Sequence, residues 1–445
     1  MPFQRNHLTT LLDRCESVNR LWVAYSGGVD SHVLLHQVHA IREALPEVAG
    51  AIHVHHGLQT DADDWAQHCT EICQSLDIPI NIIHMDASPI QGKSPEQAAR
   101  DARYKAFKQL LNVGDVLLLA QHQDDQAETF LLQALRGAGP KGLSAMPTVK
   151  RFESAWLVRP MLENSRTQIL EYARQHDLSW VEDKSNKDTA IDRNYLRHEI
   201  LPRLKQRWPA AASTLARSAR HSASLSRLTE NLIDTELPLL VGSQGNTLSI
   251  SRLKNLRHDL AATMLRAWIE KSGFPNPAAR HIDQILRKQI TSDDHTASLV
   301  NWPGVEIRRY RDDLHIMHPL QQLPEQSWIH HWQLPEPCTI PELHGTLIAE
   351  KATGEGIAEK FCLHGLRVQP RSGGEKCRPA GRAHHQTLKK LFQDKGIPNW
   401  IRDRLPLIYY QDKLAAVGDC WICDEFAAKD TEPSYQIRWL IESYR

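Results

Sequence analysis

A short serine- and glycine-rich segment near the N-terminus has the residue types needed to bind phosphate. Two adjacent glycines let backbone N–H groups approach a ligand closely, and the helical pattern that follows adds positive partial charge at its N-terminus. Ser26 and Ser31 can donate to phosphate oxygens, and Asp30 can hold a magnesium ion beside them. The alternative is an ordinary strand–helix turn; a Walker A motif is excluded because Gly-Lys-Ser/Thr is missing. The predicted cofactor-binding loop consists of Ser26, Gly27, Gly28, Val29, Asp30 and Ser31.

A second polar cluster follows an apolar run that ends at Ala120. His122, Asp125 and Glu128 are spaced by three, so they share one face if this segment is a helix. Three titratable groups on one face are costly unless a cation or a substrate neutralises them, which favours a reactive site. The alternative is an acidic helix N-terminus that complements the helix dipole, and it accounts for the carboxylates but not for His122.

Three further motifs resemble functional sites but lack the expected context. Residues 137–142 match the GxGxxG dinucleotide fingerprint, but they follow a predicted helix rather than a strand, so we interpret them as a mobile loop near the site. His53 and His55 share one face of a predicted strand, and we interpret them as a polar strand end rather than a zinc site. Cys420 and Cys423 lie in a β-rich segment, which favours ordinary core cysteines over a redox pair.

Composition excludes several classes of protein. The chain has 445 residues, with 53 Lys plus Arg and 53 Asp plus Glu. No apolar run approaches the ~18 residues that a membrane span needs, and the N-terminus lacks the pattern of a secretory signal. Eight unevenly spaced cysteines do not indicate a disulfide framework. We therefore expect a cytoplasmic protein with reduced cysteines and no membrane partner.

The charges are unevenly distributed along the chain. Residues 1–100 carry six basic and twelve acidic side chains, whereas residues 193–227 carry eight basic side chains against Glu199 alone. Residues 367–395 carry eight basic side chains against two acidic ones. Aromatic residues such as Trp208 lie among these basic residues, which favours contact with a nucleic-acid backbone over a merely solvated basic face.

The order of apolar runs predicts how these residues are positioned. In the first ~200 residues, continuous apolar runs alternate with helical patterns, which is typical of a doubly wound, mostly parallel α/β sheet. Ligands of such sheets bind where strands end and helices begin. Ser165 and Gln168 form a capping pattern that predicts a helix start. The predicted strands are Leu21–Tyr25, Ala51–His55, Ile78–Ile83, Val116–Ala120 and Leu157–Val158.

The pattern changes after about residue 205. Residues 210–235 and 252–290 have helical patterns, and Leu225, Leu228 and Leu232 are spaced like one buried face. Residues 319–326 form the best candidate linker, and β-prone runs dominate beyond them. We predict a nucleotide-binding domain at 1–210, a helical domain at 211–320 and a small α+β domain at 327–445. The β-prone runs are Leu363–Val368, Leu407–Tyr410 and Leu414–Val417.

These motifs together resemble a known family. The chain is similar to the PP-loop (N-type) ATP pyrophosphatases and, within them, to the long bacterial tRNA(Ile)-lysidine synthetases. The similarity covers the first ~200 residues and resumes near the C-terminus, whereas residues 230–320 match only in helical character and at Arg308–Tyr310. The segments that carry it are Ser26–Ser31, His55–Leu58, Ala99–Tyr104, His122–Thr129, Arg136–Met146, Arg159–Pro160, Glu182–Asn186, Arg193–Arg197, Leu388–Phe392 and Gly396–Trp400.

The resemblance implies a two-step reaction that uses ATP and Mg²⁺. ATP adenylates the C2 oxygen of the wobble cytidine in a tRNA(Ile) with a CAU anticodon, and pyrophosphate leaves. The ε-amine of free L-lysine then displaces AMP and forms lysidine, which changes the codon specificity from AUG to AUA. A homodimer is compatible with the resemblance.

The resemblance also implies roles for individual residues. Asp30 and Asp125 are the expected magnesium ligands, and Arg103 is the expected donor to the α-phosphate or to the lysine carboxylate. The expected catalytic residues are Asp30, Arg103, His122, Asp125 and Glu128. The expected tRNA-binding residues are Arg193, Arg197, Arg203, Lys205, Arg207, Arg217, Lys389 and Lys390.

Three other functions are compatible with such a loop. A tRNA thiolase of the same superfamily usually carries sulfur on cysteines or on an iron–sulfur cluster of its catalytic domain, and no cysteine occurs between Cys73 and Cys338. A PP-loop amidating ligase would leave the two basic segments unexplained. A non-catalytic tRNA-binding protein would not need to retain Asp30, Asp125 and Glu128 together.

Overall fold

The computed structural model describes residues 5–55, 62–85, 95–183, 188–291, 299–324 and 327–441. Parts of the predicted motifs and of the linker, at 56–58, 184–186 and 325–326, lie outside these residues. The chain divides into two compact units, Met1–Asn231 and Leu232–Arg445, whose boundary falls within one long helix. The three predicted domains remain a prediction. Among the described residues, no helix is both long and apolar enough to cross a membrane.

A six-stranded sheet, counted over the described residues, organises the first unit in the order β3-β2-β1-β4-β6-β5. All neighbouring pairs are parallel except β5 with β6, which confirms the predicted doubly wound, mostly parallel sheet. Sequence analysis missed β5, because its Lys150 and Arg151 interrupt any apolar run. The strands are β1 (Arg20–Ala24), β2 (Glu47–His55), β3 (Ile80–His84), β4 (Asp115–Leu118), β5 (Val149–Phe152) and β6 (Ala155–Val158).

Helices cover both faces of this sheet. On β1, Leu21 and Val23 pack into one apolar cluster and Trp22 packs into another, as the alternation of a strand requires. The predicted capping box at Ser165 is confirmed, because its hydroxyl accepts from the Gln168 N–H at 3.2 Å. The helices are α1 (Arg5–Leu12), α2 (Val29–Ala40), α3 (Ala62–Ser75), α4 (Pro95–Leu110), α5 (Gln123–Leu135), α6 (Pro140–Leu143), α7 (Arg166–Gln175), α8 (Asp192–Tyr195), α9 (Leu201–Arg207) and α10 (Ala211–Glu236).

The direction of winding reverses between β1 and β4. Strands β2 and β3 extend from one side of β1, and β6 and β5 extend from the far side of β4. Since β1 and β4 are parallel neighbours, with Val23 opposite Leu118, the loops that follow them leave the same edge of the sheet. A doubly wound sheet binds its ligand at this topological switch point.

One sequence prediction about α10 is wrong. Leu225, Leu228 and Leu232 were expected to form a buried face, but they are 57%, 64% and 42% exposed. Their spacing places them on one side of the helix, as predicted, yet spacing alone does not show that another element covers that side.

The second unit begins with helices and an antiparallel sheet. The predicted helices are present but broken into shorter pieces, and a four-stranded sheet of the described residues, in the order β7-β10-β9-β8, packs with them. Sequence analysis missed these strands, although Arg308–Tyr310 was noted at the end of this region. The elements are β7 (Leu248–Ser249), α11 (Ile250–Lys254), α12 (His258–Lys271), α13 (Ala279–Gln284), β8 (Leu299–Trp302), β9 (Val305–Tyr310) and β10 (Asp313–Met317).

The rest of the second unit is rich in β-strands, as predicted. Two of its sheets, of five and four described strands, enclose an apolar core that includes Trp332, Phe392 and Phe426. The elements are β11 (His330–Trp332), β12 (Cys338–Ile340), β13 (Gly345–Thr353), β14 (Ile357–Ala358), β15 (Leu366–Gln369), β16 (Lys376–Cys377), β17 (Gln386–Thr387), α14 (Leu388–Lys395), α15 (Asn399–Arg402), β18 (Leu407–Tyr410), β19 (Lys413–Val417), β20 (Trp421–Ile422) and β21 (Pro433–Ile441).

The cysteine prediction needs one correction. Cys423 forms a disulfide with Cys377, whereas sequence analysis treated Cys420 and Cys423 as ordinary reduced core cysteines. The partner was missed because it lies 46 residues away and the two approach only through the fold. Cys420 is a free, half-buried cysteine.

Candidate active site

The predicted phosphate-binding loop lies between β1 and α2, at the switch point of the sheet. Gly27 has φ +83°, and a side chain there would also meet the Cys69 sulfur at 3.0 Å, so this position requires glycine. The Ser31 hydroxyl donates to the Gly28 carbonyl at 2.9 Å and lies 3.1 Å from the Ser26 hydroxyl. These contacts hold both serines beside the N-terminus of α2, where unpaired N–H groups favour an anion.

Asp30, in the first turn of α2, lies against the second predicted cluster. Its Oδ2 is 3.7 Å from His122 Nε2, and His122 Nε2 is 3.4 Å from Asp125 Oδ2. Burial raises the pKa of the Asp30 carboxyl above its ordinary value, although His122 and Arg166 act in the opposite direction. The structure therefore brings the loop and the cluster together. This is expected for two segments that follow neighbouring strands of a parallel sheet.

The cluster itself forms the start of α5. His122 precedes the first helical residue, and its backbone N–H donates to Asp125 Oδ2 at 3.0 Å. His122 and Glu128 are completely buried and Asp125 is nearly so, and all three lie on one side of the helix start. The predicted shared face is confirmed.

Two arginines neutralise the carboxylates of α5. Arg197 donates to Glu128 Oε1 at 2.6 Å and to Asp125 Oδ1 at 2.8 Å, and Arg193 donates to Glu128 Oε2 at 2.8 Å. Burial alone would raise the pKa of Asp125, but His122, Arg193 and Arg197 hold it below its ordinary value. Sequence analysis assigned both arginines to tRNA, and the structure places them against these carboxylates.

A third carboxylate, Asp124, is also paired. It accepts from the Arg166 backbone N–H at 3.0 Å and forms an ion pair with Lys205. Burial raises the pKa of Asp124, but the hydrogen bonds from Lys205 and from the Arg166 N–H outweigh that effect, and the pKa lies below its ordinary value. Lys205, expected to contact tRNA, therefore has a partner within the first unit.

The remaining predicted residues lie at the surface or at the neighbouring strand end. Arg103, on α4, is exposed, and its charge helps burial to lower the pKa of His53 at the end of β2. Arg203, Arg207 and Arg217 are exposed on α9 and α10. Lys389 and Lys390 are exposed on α14 of the second unit.

The two strand-end histidines have protein partners. His53 Nδ1 lies 3.0 Å from the Tyr25 carbonyl, and His55 Nε2 lies 3.0 Å from Asp63 Oδ1. In the described part of the chain, no group of three or more His, Cys, Asp or Glu side chains is arranged to hold a metal ion.

The donor set fits magnesium at Asp30 better than at Asp125. Asp30 Oδ1 is buried without a hydrogen-bond partner among the described residues, which leaves one oxygen available to a cation. Both oxygens of Asp125 are engaged, by Arg193 and Arg197 on one side and by the His122 N–H on the other. Mg²⁺ is commonly held by one or two carboxylates together with substrate phosphates, so Asp30 alone fits this pattern.

Sequence analysis missed Arg166 and the pairing role of the arginines. Arg166 Nη1 lies 3.7 Å from Asp30 Oδ2, and nothing in the local sequence connects the two residues. The spacing of Arg193 and Arg197 did carry a signal, because residues four apart on a helical segment lie on one side. It could have indicated a pair of cations facing Asp125 and Glu128.

Comparison with known proteins is consistent with this site. A PP-loop domain model matches residues 2–204, a TilS substrate binding domain model matches 248–315, and a TilS substrate C-terminal domain model matches 366–439. A tRNA(Ile)-lysidine synthase of Coxiella burnetii is 40% identical over 98% of this chain and 96% of its own length. One of Methylococcus capsulatus is 39% identical over 94% and 95%, respectively. The chain belongs to the tRNA(Ile)-lysidine synthase family.

The family match assigns a place to each part of the fold. The PP-loop segment of this lysidine synthase family member carries Asp30, His122, Asp125 and Glu128, and both TilS segments lie in the second unit. A solved U34-tRNA thiolase from Methanococcus maripaludis is similar over 48% of this chain and 76% of its own, with a TM-score of 0.41 and 16% identity. That similarity is too low to indicate a shared reaction.

Proposed function

We propose that this protein ligates lysine to the wobble cytidine of a CAU-anticodon tRNA(Ile), using ATP and Mg²⁺, in the cytoplasm. The observation that carries the proposal is the contact between Asp30 of the PP-loop and His122, which precedes α5, at the ends of adjacent strands in a chain of this family. A nucleotide held at the loop would place its phosphates against a cluster of titratable groups.

In the first step, the C2 oxygen of cytidine attacks the α-phosphorus of ATP, and pyrophosphate leaves. Backbone N–H groups of the loop and the hydroxyls of Ser26 and Ser31 bind the departing phosphates, because the N-terminus of α2 favours anions. Asp30 would hold Mg²⁺, which offsets the phosphate charge. Arg103 is proposed to donate to the α-phosphate or to the carboxylate of lysine.

In the second step, the ε-amine of lysine attacks C2, and AMP leaves. Lysine arrives as an ammonium with a pKa near ~10.4, so it must lose a proton before it can attack. Asp125 and Glu128 are paired with Arg193 and Arg197, so a lysine ammonium must displace or share one of these arginines to reach this face. We propose that this face, next to His122, binds the ammonium and accepts its proton.

The test is incorporation of labelled lysine into a CAU-anticodon tRNA(Ile) transcript with ATP and Mg²⁺. We expect incorporation by the wild-type protein and loss with Asp30→Ala. Glu153→Gln, an exposed carboxylate at the opposite edge of the sheet, is the matched control and should retain activity. A transcript with uridine at the wobble position should accept no lysine. Background incorporation by the wild-type protein, or an Asp30→Ala variant as active as wild type, would refute the proposal.

A second test concerns the exposed basic residues of α9 and α10. Neutralising Arg203, Arg207 and Arg217 is expected to raise the KM for tRNA and to leave the KM for ATP unchanged, because all three are exposed. An equal change in both KM values would mean that this segment is only a solvated face.

A further inference from the structure

Two arginines of the second unit lie beside one aromatic ring. The guanidinium carbons of Arg311 and Arg402 lie 5.4 Å and 5.8 Å from the ring centre of Tyr310. Arg311 lies in the turn between β9 and β10, and Arg402 ends α15, so the two side chains come from the segments matched by the two different TilS models. The two side chains therefore meet at a joint, the place where the segment matched by the TilS substrate binding domain model contacts the segment matched by the TilS substrate C-terminal domain model.

Both arginines are held by neutral partners. Arg402 donates to the Ile397 carbonyl at 2.8 Å and to the Tyr310 hydroxyl at 2.9 Å, and Arg311 donates to the Gln393 carbonyl. Among the described residues, no carboxylate lies within ion-pair distance of either guanidinium. A guanidinium has five N–H donors, so each arginine retains donors beyond these bonds.

The nearby carboxylates are paired elsewhere. Asp394 lies 3.8 Å from Arg382, and Asp403 lies 3.3 Å from Arg371. Two cations beside one ring, without a carboxylate partner, favour an anion nearby, and planar guanidinium groups match the oxygens of a phosphate.

We propose that Arg311 and Arg402, ordered on Tyr310, form an anchor for a backbone phosphate of RNA. The anchor lies at the joint of the second unit and is additional to the basic residues of α9, α10 and α14. The inference rests on the proposed function, which makes tRNA the ligand. The fixed guanidinium positions reduce the ordering cost on binding, because the side chains are already held by Tyr310 and by backbone carbonyls.

The test is the salt dependence of tRNA binding by the full chain without ATP or lysine. Each phosphate contact contributes about −0.9 to the slope of log K against log salt concentration on duplex regions and about −0.7 on single strands. Arg311→Gln and Arg402→Gln are each expected to flatten the slope by about that amount and to weaken binding several-fold at low salt. Arg438→Gln is the matched control, because Arg438 is exposed in the same unit and paired with Glu350 at 3.0 Å.

The variant Tyr310→Phe tests whether Arg402 has a purely structural role. Tyr310→Phe removes the hydroxyl bond and retains both cations and the ring, so the proposal expects an unchanged slope. An unchanged slope in both arginine variants, with wild-type melting temperature, would overturn the anchor. If Arg402→Gln does not fold, Arg311→Gln still decides, because Arg311 is exposed. Failed lysine incorporation with a flattened slope would refute the proposed function and leave the anchor standing.

Discussion

The substitution Arg197→Met tests whether the arginines beside α5 are structural partners of its carboxylates. It removes three hydrogen bonds, at 2.6, 2.8 and 2.9 Å, and leaves the Glu128 side chain, which is 1% exposed, with Arg193 as its remaining cation. Breaking a buried ion pair by removing one partner costs about 3–5 kcal/mol, because the other charge remains buried.

The matched control is Lys108→Met. Lys108 and Glu153 are 2.8 Å apart, as close as the buried pairs, but their side chains are 60% and 57% exposed. An exposed pair contributes about 0–1 kcal/mol, because water screens the charges and the side chains lose entropy when they pair. The two ion pairs have similar separations but differ in exposure, so the difference in Tm shift between the two variants measures the effect of burial.

Scanning calorimetry of the full chain measures the difference. For a domain of 150–250 residues, 1 kcal/mol shifts Tm by about 2–4 °C, so Arg197→Met should lower the Tm of the first unit by about 6–20 °C. Lys108→Met should lower it by less than about 4 °C. Equal shifts in the two variants would refute the assignment of Arg197 to the carboxylates. A large loss of tRNA affinity at unchanged Tm would instead indicate that Arg197 contacts RNA, as sequence analysis predicted.

Three further perturbations have expected outcomes. Asp115→Asn, at the end of β4 opposite the site, should lower Tm by several degrees, because Asp115 is buried and accepts hydrogen bonds from Arg20 and Trp22. The activity per folded molecule should not change. Asp30→Asn should raise Tm at about pH 7.5 without ATP and abolish lysine incorporation, because burial raises the pKa of Asp30 and so makes its ionised form costly; a lower Tm would contradict this. The pKa of Asp125 lies below the ordinary value of 3.8, so its contribution to stability is present above that pH and is lost as pH falls toward its folded pKa. Melting curves below about pH 4 should therefore show a smaller acid loss in Asp125→Asn than in wild type.

The elements around the nucleotide site could be predicted because their signals are local. A buried parallel strand is a continuous apolar run, and β1, β2 and β4 each contain such a run. The edge strand β3 is half-buried and is interrupted by Asn81. The loop after β1 is likewise defined by adjacent residues, from Ser26 to Ser31. The spacing of His122, Asp125 and Glu128 places them on one helix face whatever the rest of the chain does.

The features that sequence analysis missed depend on contacts between distant residues. Arg197 meets Glu128 across 69 positions, and Cys423 meets Cys377 across 46. A basic residue has the same local pattern whether it faces solvent or a buried carboxylate, so Arg193, Arg197 and Lys205 were assigned to RNA with their exposed neighbours. The stripe of Leu225, Leu228 and Leu232 failed for the same reason, because periodicity identifies a face and not what covers it.

These pairings change what the zero net charge of the chain means. The acidic residues at the start of α5 do not simply offset basic residues elsewhere. Asp125 and Glu128 are neutralised by Arg193 and Arg197, which belong to the basic segment itself. What the segment offers to an RNA backbone is therefore its exposed remainder on α9 and α10. Because the paired arginines hold the carboxylates and the exposed arginines face solvent, neutralising the two groups should affect different quantities. The paired arginines should affect the stability of the first unit, and the exposed arginines should affect the affinity for tRNA.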